Sequence, residues 1–345
     1  MCAIYALRGA PVDITLIDRH NYHLFQPLLY QLGTCALSES DIAWPIRHLV
    51  AKRRDVTTLL GEVSGVDKEK KEVFLRDGKS LPYDSLILAT GSQDTYFGHD
   101  QWRLPAPGLK SLMDATTVRR RFLLAFELAE RETDLDRRKS RMTIIVVGGG
   151  PTGVELAGAI AQMAHRTLPN EFRNIDTRHA RVVLIEAGPC ILSTFKPDLS
   201  EYARNALQDL GVEVLTAKQM GTFVGKLLRD RVNGEEEKKA FKYTNMGNLA
   251  TIGKNKAVAD FGFIQFKGAF AWWLWGIAHI YFLIGSRNRL VVALNWLYYY
   301  LLNVRSSRVI SQNPFPDFPQ NLAKRVEAEK RADAKKKAEP STNPE

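Results

Sequence analysis

Cysteine is scarce in this chain: Cys2, Cys35 and Cys190 are the only three among 345 residues, and no two form a CxxC pair. An odd, unpaired count argues against a disulfide scaffold, a cysteine-ligated zinc and a dithiol redox centre. Metal-ligand spacing is missing as well. His20 and His23 lie close together, but no third ligand stands near them in the sequence. The opening MCAIYALRGAP has one arginine and no sustained apolar stretch, so no secretory signal is read there. A reducing, cytoplasm-facing compartment is expected. Finally, acid is absent from Lys267 to Ser311, where five Lys or Arg and four of the six tryptophans fall.

What is present is globular material. A hydrophobic share of 45% and a charged share of 25% exclude a wholly disordered or fibrous chain, and the length suits about two domains. The formal charge of +10 fits either nucleic acid or an anionic membrane surface. Its concentration in the acid-free, aromatic stretch favours the membrane and makes nucleic acid unnecessary.

The pattern alternates between strands and helices. Residues 12–18, 56–63 and 72–75 read as strands, with a turn at Asp77-Gly78, and 83–91 (YDSLILATG) reads as an apolar strand. A helix is expected over 114–132, followed by the charged connector RETDLDRRKSR. MTIIVV reads as a buried strand, VELAGAIAQMAH as a helix, 181–186 as a strand, 198–210 as a helix and GVEVL as a strand. Residues 217–231 have helical spacing. From Asn313 onward a proline-rich, then Lys/Glu/Ala-rich stretch reads as a mobile tail.

One motif carries definite chemistry. Gly148-Gly149-Gly150-Pro151-Thr152-Gly153 satisfies GxGxxG between an apolar strand and a helix, the context that confirms a dinucleotide turn. Gly148 permits the tight turn, Gly150 lets the backbone approach a pyrophosphate, and Gly153 allows close helix–strand packing. Free N–H groups at the helix start then meet the phosphates. Glu186 ends the next strand, farther along than is usual, and is placed to bind a ribose diol. No arginine follows it to receive a 2′-phosphate, which favours NADH over NADPH. Asp18 ends a similar strand, yet only eleven residues precede that strand and they hold no glycine turn. By itself Asp18 reads as a surface acid. Glu155, expected in the first turn of the helix after the glycine turn, reads either as an acid in a favourable dipole or as a functional group.

Taken together, TLIDRHNYHLFQPLLYQ, SDIAWPIRHL, LLGEVSGVD, YDSLILATGSQ, VVGGGPTGVELAGAIAQ, AKQMG, YTNMGNLATIGKNKAVADFG and WGIAHIYFLIGSRNRLVVALNW resemble the type II, non-electrogenic NADH:quinone oxidoreductases. The runs span nearly the whole chain in family order. The resemblance implies an α/β fold with two Rossmann-like dinucleotide-binding domains and a C-terminal amphipathic helical membrane anchor. Hydride would pass from NADH to FAD, and two electrons from there to a membrane quinone. It implies that residues 1–110 begin the FAD domain, 111–216 form the NADH domain and 217–266 return to the FAD domain. Residues 267–312 would contact the membrane and 313–345 form the tail.

Carried over by motif, Asp18 would hold the FAD ribose, and Glu62 and Val63 would contact adenine through their backbone. Ala89, Thr90 and Gly91 would line the cofactor, and Gln26 would pass near the flavin ring. Glu155 would sit at the nicotinamide–flavin contact as a proton relay, and Gln219 beside the flavin and quinone head group. The stretches Ala269–Gly285 and Leu290–Leu302, interrupted by SRNR, are expected to lie in the interface as two short helices rather than to span it. A homodimer through the same helices is the alternative occupant of their apolar surface. The implied protein is peripheral, on the cytoplasmic face, against anionic lipid.

Two family pieces are not found: the N-terminal FAD glycine motif, and a Gly-Asp segment expected between Thr216 and Ala217. Two other functions are therefore weighed. One is a membrane-associated NADH-binding module without catalysis. The other is a sulfide:quinone reductase-like flavoenzyme, which needs reactive cysteines that Cys35 and Cys190 do not evidently supply.

Overall fold

The computed structural model describes residues 1–216, 248–261, 264–283 and 285–302. At its centre lies a three-stranded parallel sheet in the order Val212–Thr216, Arg181–Glu186, Thr143–Val147. Parallel strands need long crossovers, and the helices Pro151–Gln162 and Pro197–Asp209 supply them. Leu184, Val154, Ala157, Leu199 and Leu207 are fully buried between these layers, and Phe126 of the Leu112–Glu130 helix joins them. Ser111 and Asp114 start that last helix with a reciprocal capping box.

The Thr143–Val147 strand is buried on one face only, against the expectation of a fully buried strand. Val146 faces the core, whereas Ile145 and Val147 are exposed, because no described element covers that face.

The first unit is smaller. Ile14–Asp18 pairs in parallel with Val56–Leu60, and Asp18 stands opposite Leu60. An antiparallel meander of Val63–Asp67, Glu72–Leu75 and Ser80–Pro82 follows, with Gly78 at φ +89° in the turn. The expected strand over 83–91 does not form, and Ile87 and Leu88 are exposed. Apolar β-formers become a strand only when a neighbour satisfies their backbone groups, and among the described residues none lies alongside. The connector RETDLDRRKSR also differs from expectation. It folds into a short helix, Leu135–Arg141, because Asp134 caps the N–H groups of Asp136 and Arg137.

The short helix Leu29–Gly33 is buried along its whole length and packs on both the Leu112–Glu130 and Pro151–Gln162 helices. Gly33 permits this approach, since a Cβ there would lie 3.3 Å from Val118. The antiparallel sheet Asn248–Gly253, Lys256–Asp260, Gln265–Gly268 lies against the Pro151–Gln162 helix. Contact is direct because Gly158 has no side chain: a Cβ would come within 2.7 Å of the Ile252 carbonyl oxygen.

Two aromatic helices close the fold, Ala269–Phe282 and Ser286–Leu302. SRNR does not interrupt them as a separate linker. It forms the first turn of the second helix, and the Arg289 side chain donates to the Leu283 carbonyl at 2.8 Å. Trp275, Leu283 and Val292 are buried against the body. Phe270, Trp273, Ile277 and Tyr281 form an exposed stripe on one helix, as do Leu290, Leu294, Leu297 and Leu301 on the other. Among the described residues no helix is long and apolar enough to cross a membrane.

Candidate functional site

The glycine turn is built as its spacing requires. Gly148 has φ +105° and donates its N–H to the Ile185 carbonyl at 2.8 Å, which locks the turn to the neighbouring strand. A Cβ at Gly153 would meet the Gly148 carbonyl oxygen at 1.8 Å, so only glycine lets the helix start beside the turn. Gly150 caps the helix at its N-terminus, and a Cβ there would meet nothing within 4 Å. That open space lies against the unpaired N–H groups of the helix start, where a pyrophosphate fits. Glu186 belongs to the same cluster. Its carboxylate accepts the Gly149 N–H at 2.5 Å and the Gly188 N–H at 2.6 Å. Gly148, Gly150, Gly153 and Glu186 therefore converge, and these residues fit NADH.

For FAD the fit covers the adenosine end. Asp18 accepts the His20 N–H at 2.8 Å, and its carbonyl accepts the Gly61 N–H at 3.0 Å. Glu62, half-buried and paired with Arg76 at 3.2 Å, and Val63 thus begin directly beside it. Gln26 lies in a separate place, its amide donating to the Lys110 carbonyl at 3.2 Å. Ala89, Thr90 and Gly91 are exposed and irregular, with Gly91 at φ +74°, rather than at the end of a strand. Among the described residues the first unit contains no glycine turn for a pyrophosphate. Gln219 lies outside the described residues.

Glu155 is the chemically unusual group. The helix begins at Pro151, which places Glu155 in its second turn and not, as expected, in the first. The helix dipole acts chiefly within the first turn. The carboxyl is instead buried, and desolvation pushes its pKa up to about 8. The Thr251 N–H, donating at 3.4 Å, offsets part of that rise. The Trp275 indole lies near enough to favour the ionised form too, though its N–H has no partner in hydrogen-bonding geometry.

A cavity of about 60 Å³, room for a few waters, opens at this carboxyl. Five elements meet there: the Leu29–Gly33 helix with Tyr30 and Gln31, the glycine-turn helix with Gln162, the strand carrying Thr251, and the two aromatic helices with Trp275 on the first and Trp296 and Tyr299 on the second. Trp275 is stacked between His279 at 4.1 Å and Trp296 at 5.3 Å between ring centroids. Burial pushes the His279 imidazole down to about 4, and its Nδ1 lies 2.8 Å from the Trp275 carbonyl. The imidazole is therefore neutral at pH 7, with Nδ1–H as the donor.

Sequence reasoning singled out Glu155 but missed its surroundings. The available signal was a Tyr-Gln pair inside the otherwise apolar LLYQLG, which has no meaning until its partners from residues 251 and 296 are known.

Residues 1–247 match the family model described as pyridine nucleotide-disulphide oxidoreductase, and residues 245–303 match the NDH2 C-terminal domain. The type II NADH:quinone oxidoreductase NdhA of Mycobacterium tuberculosis is 34% identical, over 85% of this chain and 83% of its own length. Its alignment runs over 391 positions, more than the 345 residues here, so the relative carries internal residues that this chain lacks. The Ndh protein of the same organism is 32% identical over 88% of this chain and 86% of its own. Among solved structures, NDH2 from Plasmodium falciparum in complex with NADH superposes with a TM-score of 0.71. It covers 87% of this chain and 95% of its own at 17% identity, which shows a common fold. With two domain models in sequence and two relatives above 30% identity, each covered over more than four fifths of its length, the chain belongs to the type II NADH:quinone oxidoreductase family.

Proposed function

We propose the following division of labour within this NADH:quinone oxidoreductase. When bound, NADH supplies a hydride and FAD relays two electrons to a membrane quinone. Gly148, Gly150 and Gly153 hold the NADH pyrophosphate at the helix start, with Glu186 on the ribose. Asp18 holds the FAD ribose, with Glu62 and Val63 at its adenine. Ala89, Thr90, Gly91 and Gln26 line the flavin side, and Gln219 stands by the quinone.

Glu155 carries the proton chemistry. Reducing a quinone consumes protons as well as electrons, and a carboxyl pushed up to about 8 holds its proton at pH 7, ready to give. That observation carries the reading. The carboxyl also stands where the nucleotide helix meets the aromatic helices, the side from which a lipid-soluble substrate arrives.

The aromatic helices are read as an interfacial anchor. Each buries one apolar face and exposes another, and Arg287 and Arg289 supply charge for anionic headgroups. A peripheral position follows from that reading, and the cytoplasmic face is proposed with it. A homodimer through the same stripes is the competing use of this surface.

The test uses the purified full chain. Bound flavin should bleach on adding NADH and recover on adding a short-chain quinone, whereas Glu155→Gln should bleach normally and recover slowly. Binding of NADH without flavin would leave only a nucleotide-binding module.

A further inference from the structure

A continuous hydrogen-bonded chain runs from the second aromatic helix to the strand that touches Glu155. The Trp296 indole donates to Gln31 Oε1 at 2.8 Å, and Gln31 Nε2 donates to the Tyr30 hydroxyl at 3.0 Å. The Tyr30 hydroxyl and Thr251 Oγ1 share a hydrogen bond of 3.2 Å, and the Thr251 N–H faces the Glu155 carboxyl. The chain joins positions 220 and more residues apart, and its members are largely buried. Buried polar side chains of this kind hold one geometry, because each loses water that only its partner replaces.

We propose that Gln31 is a positioning residue for the proton-bearing carboxyl: it fixes both groups that favour the ionised form of Glu155. Through Tyr30 and the Thr251 hydroxyl it holds the strand so that the Thr251 N–H points at the carboxyl. Through Trp296 it holds the ring on which Trp275 stacks, and so the indole on the other side. The inference rests on Glu155 being the proton donor for quinone reduction, and it adds how the acid's readiness to release a proton is set. One amide reaches both sides because its carbonyl oxygen accepts while its NH₂ nitrogen donates, two separate atoms, whereas a hydroxyl does both at one atom and a carboxylate only accepts.

The other titratable groups around the carboxyl do not set this balance. Lys254 is the only cation lining the cavity among the described residues, and its Nζ donates to the Tyr300 carbonyl at 2.6 Å. It lies over the Tyr300 ring at 4.7 Å. His279, behind Trp275, is held neutral by burial. Tyr30 belongs to the chain itself, and the Tyr299 hydroxyl donates to Gln162 at 3.3 Å.

The experiment is infrared titration of the carboxyl band of the purified full chain, assigned by its loss in Glu155→Gln. Gln31→Met keeps length and apolar volume but loses both hydrogen bonds. Its Glu155 midpoint should rise by about one pH unit, the size of one hydrogen bond to a charged group. Thr251→Val should raise it likewise, and Thr251→Ser, which keeps the hydroxyl, should restore it. An unmoved midpoint in a folded Gln31→Met protein overturns the proposal, since a merely structural amide would lower Tm alone. So does a shift in Thr251→Ser as large as that in Thr251→Val. Separately, if Glu155→Gln retains full quinone turnover, the donor assignment fails while the infrared result still stands or falls by itself.

Discussion

The glycine turn and the Glu155 cavity lie on one 12-residue helix, the turn at its N-terminus and the cavity along its side from Glu155 to Gln162, and they are built by opposite means. At the turn, function comes from missing atoms: no side chain at Gly150, none at Gly153, and backbone N–H groups left open. Its residues lie within one strand–turn–helix, apart from Glu186 on the adjoining strand. At the cavity, function comes from atoms brought together over long sequence distances, with a carboxyl forced out of water. The first region recognises a phosphate by local backbone geometry. The second tunes a proton by its environment, and no local segment contains that environment.

The sharpest way to separate the two regions is Glu155→Gln. It should lower quinone-dependent turnover by roughly 100-fold or more, the usual worth of a positioned acid, while NADH affinity stays unchanged. An equal loss in NADH affinity would mean that the turn and the cavity are one site.

Gly153→Ala comes next. The added methyl would collide with the Gly148 carbonyl, so stability should fall by about 1–3 kcal/mol with loss of NADH binding. Gly150→Val provides the contrast. It enters open space, so thermal stability should hold while NADH affinity falls by about tenfold or more. Similar stability losses at the two glycines would refute the assignment of one to folding and the other to ligand.

Stability against pH tests the cavity from the folding side. Between its ordinary value of 4.5 and about 8, Glu155 is protonated in the folded chain and ionised in the unfolded one. The folded state then binds more protons, so this contribution to Tm falls as pH rises through that window and is lost above it. His279 acts at the acid end. The unfolded ring takes its proton below 6.5 and the folded ring only near 4, so stability is lost as pH falls between these values. Calorimetry of Glu155→Gln should show the first slope abolished and the second kept.

The smallest effect is expected at the outer surface. Leu294→Glu places a charge in the exposed stripe and should weaken sedimentation with anionic vesicles while leaving NADH binding intact. Unchanged sedimentation together with a change from dimer to monomer would assign the stripe to a second copy of the chain.

The fold was legible where short-range rules suffice. Strands at 14–18, 143–147, 181–186 and 212–216 follow from β-branched runs, and the helix after Gly150 follows from its turn. YDSLILATG was misread because its composition suits a strand, whereas strand formation depends on a neighbour that composition does not report. Ile145 and Val147 were misread as buried for the same reason. Glu155 could be picked out by resemblance, yet its placement in the second turn and its burial could not.

By itself, the sequence determined the dinucleotide turn, because each glycine acts on atoms within a few residues of its own position. It determined the two apolar helices too, since their character is compositional. Only the tertiary structure decided that Tyr30, Gln31, Thr251 and Trp296 form one hydrogen-bonded chain beside Glu155. It alone made that acid hold its proton near neutrality. A pKa shift of this kind comes from lost hydration, and hydration is set by every element that packs around the group.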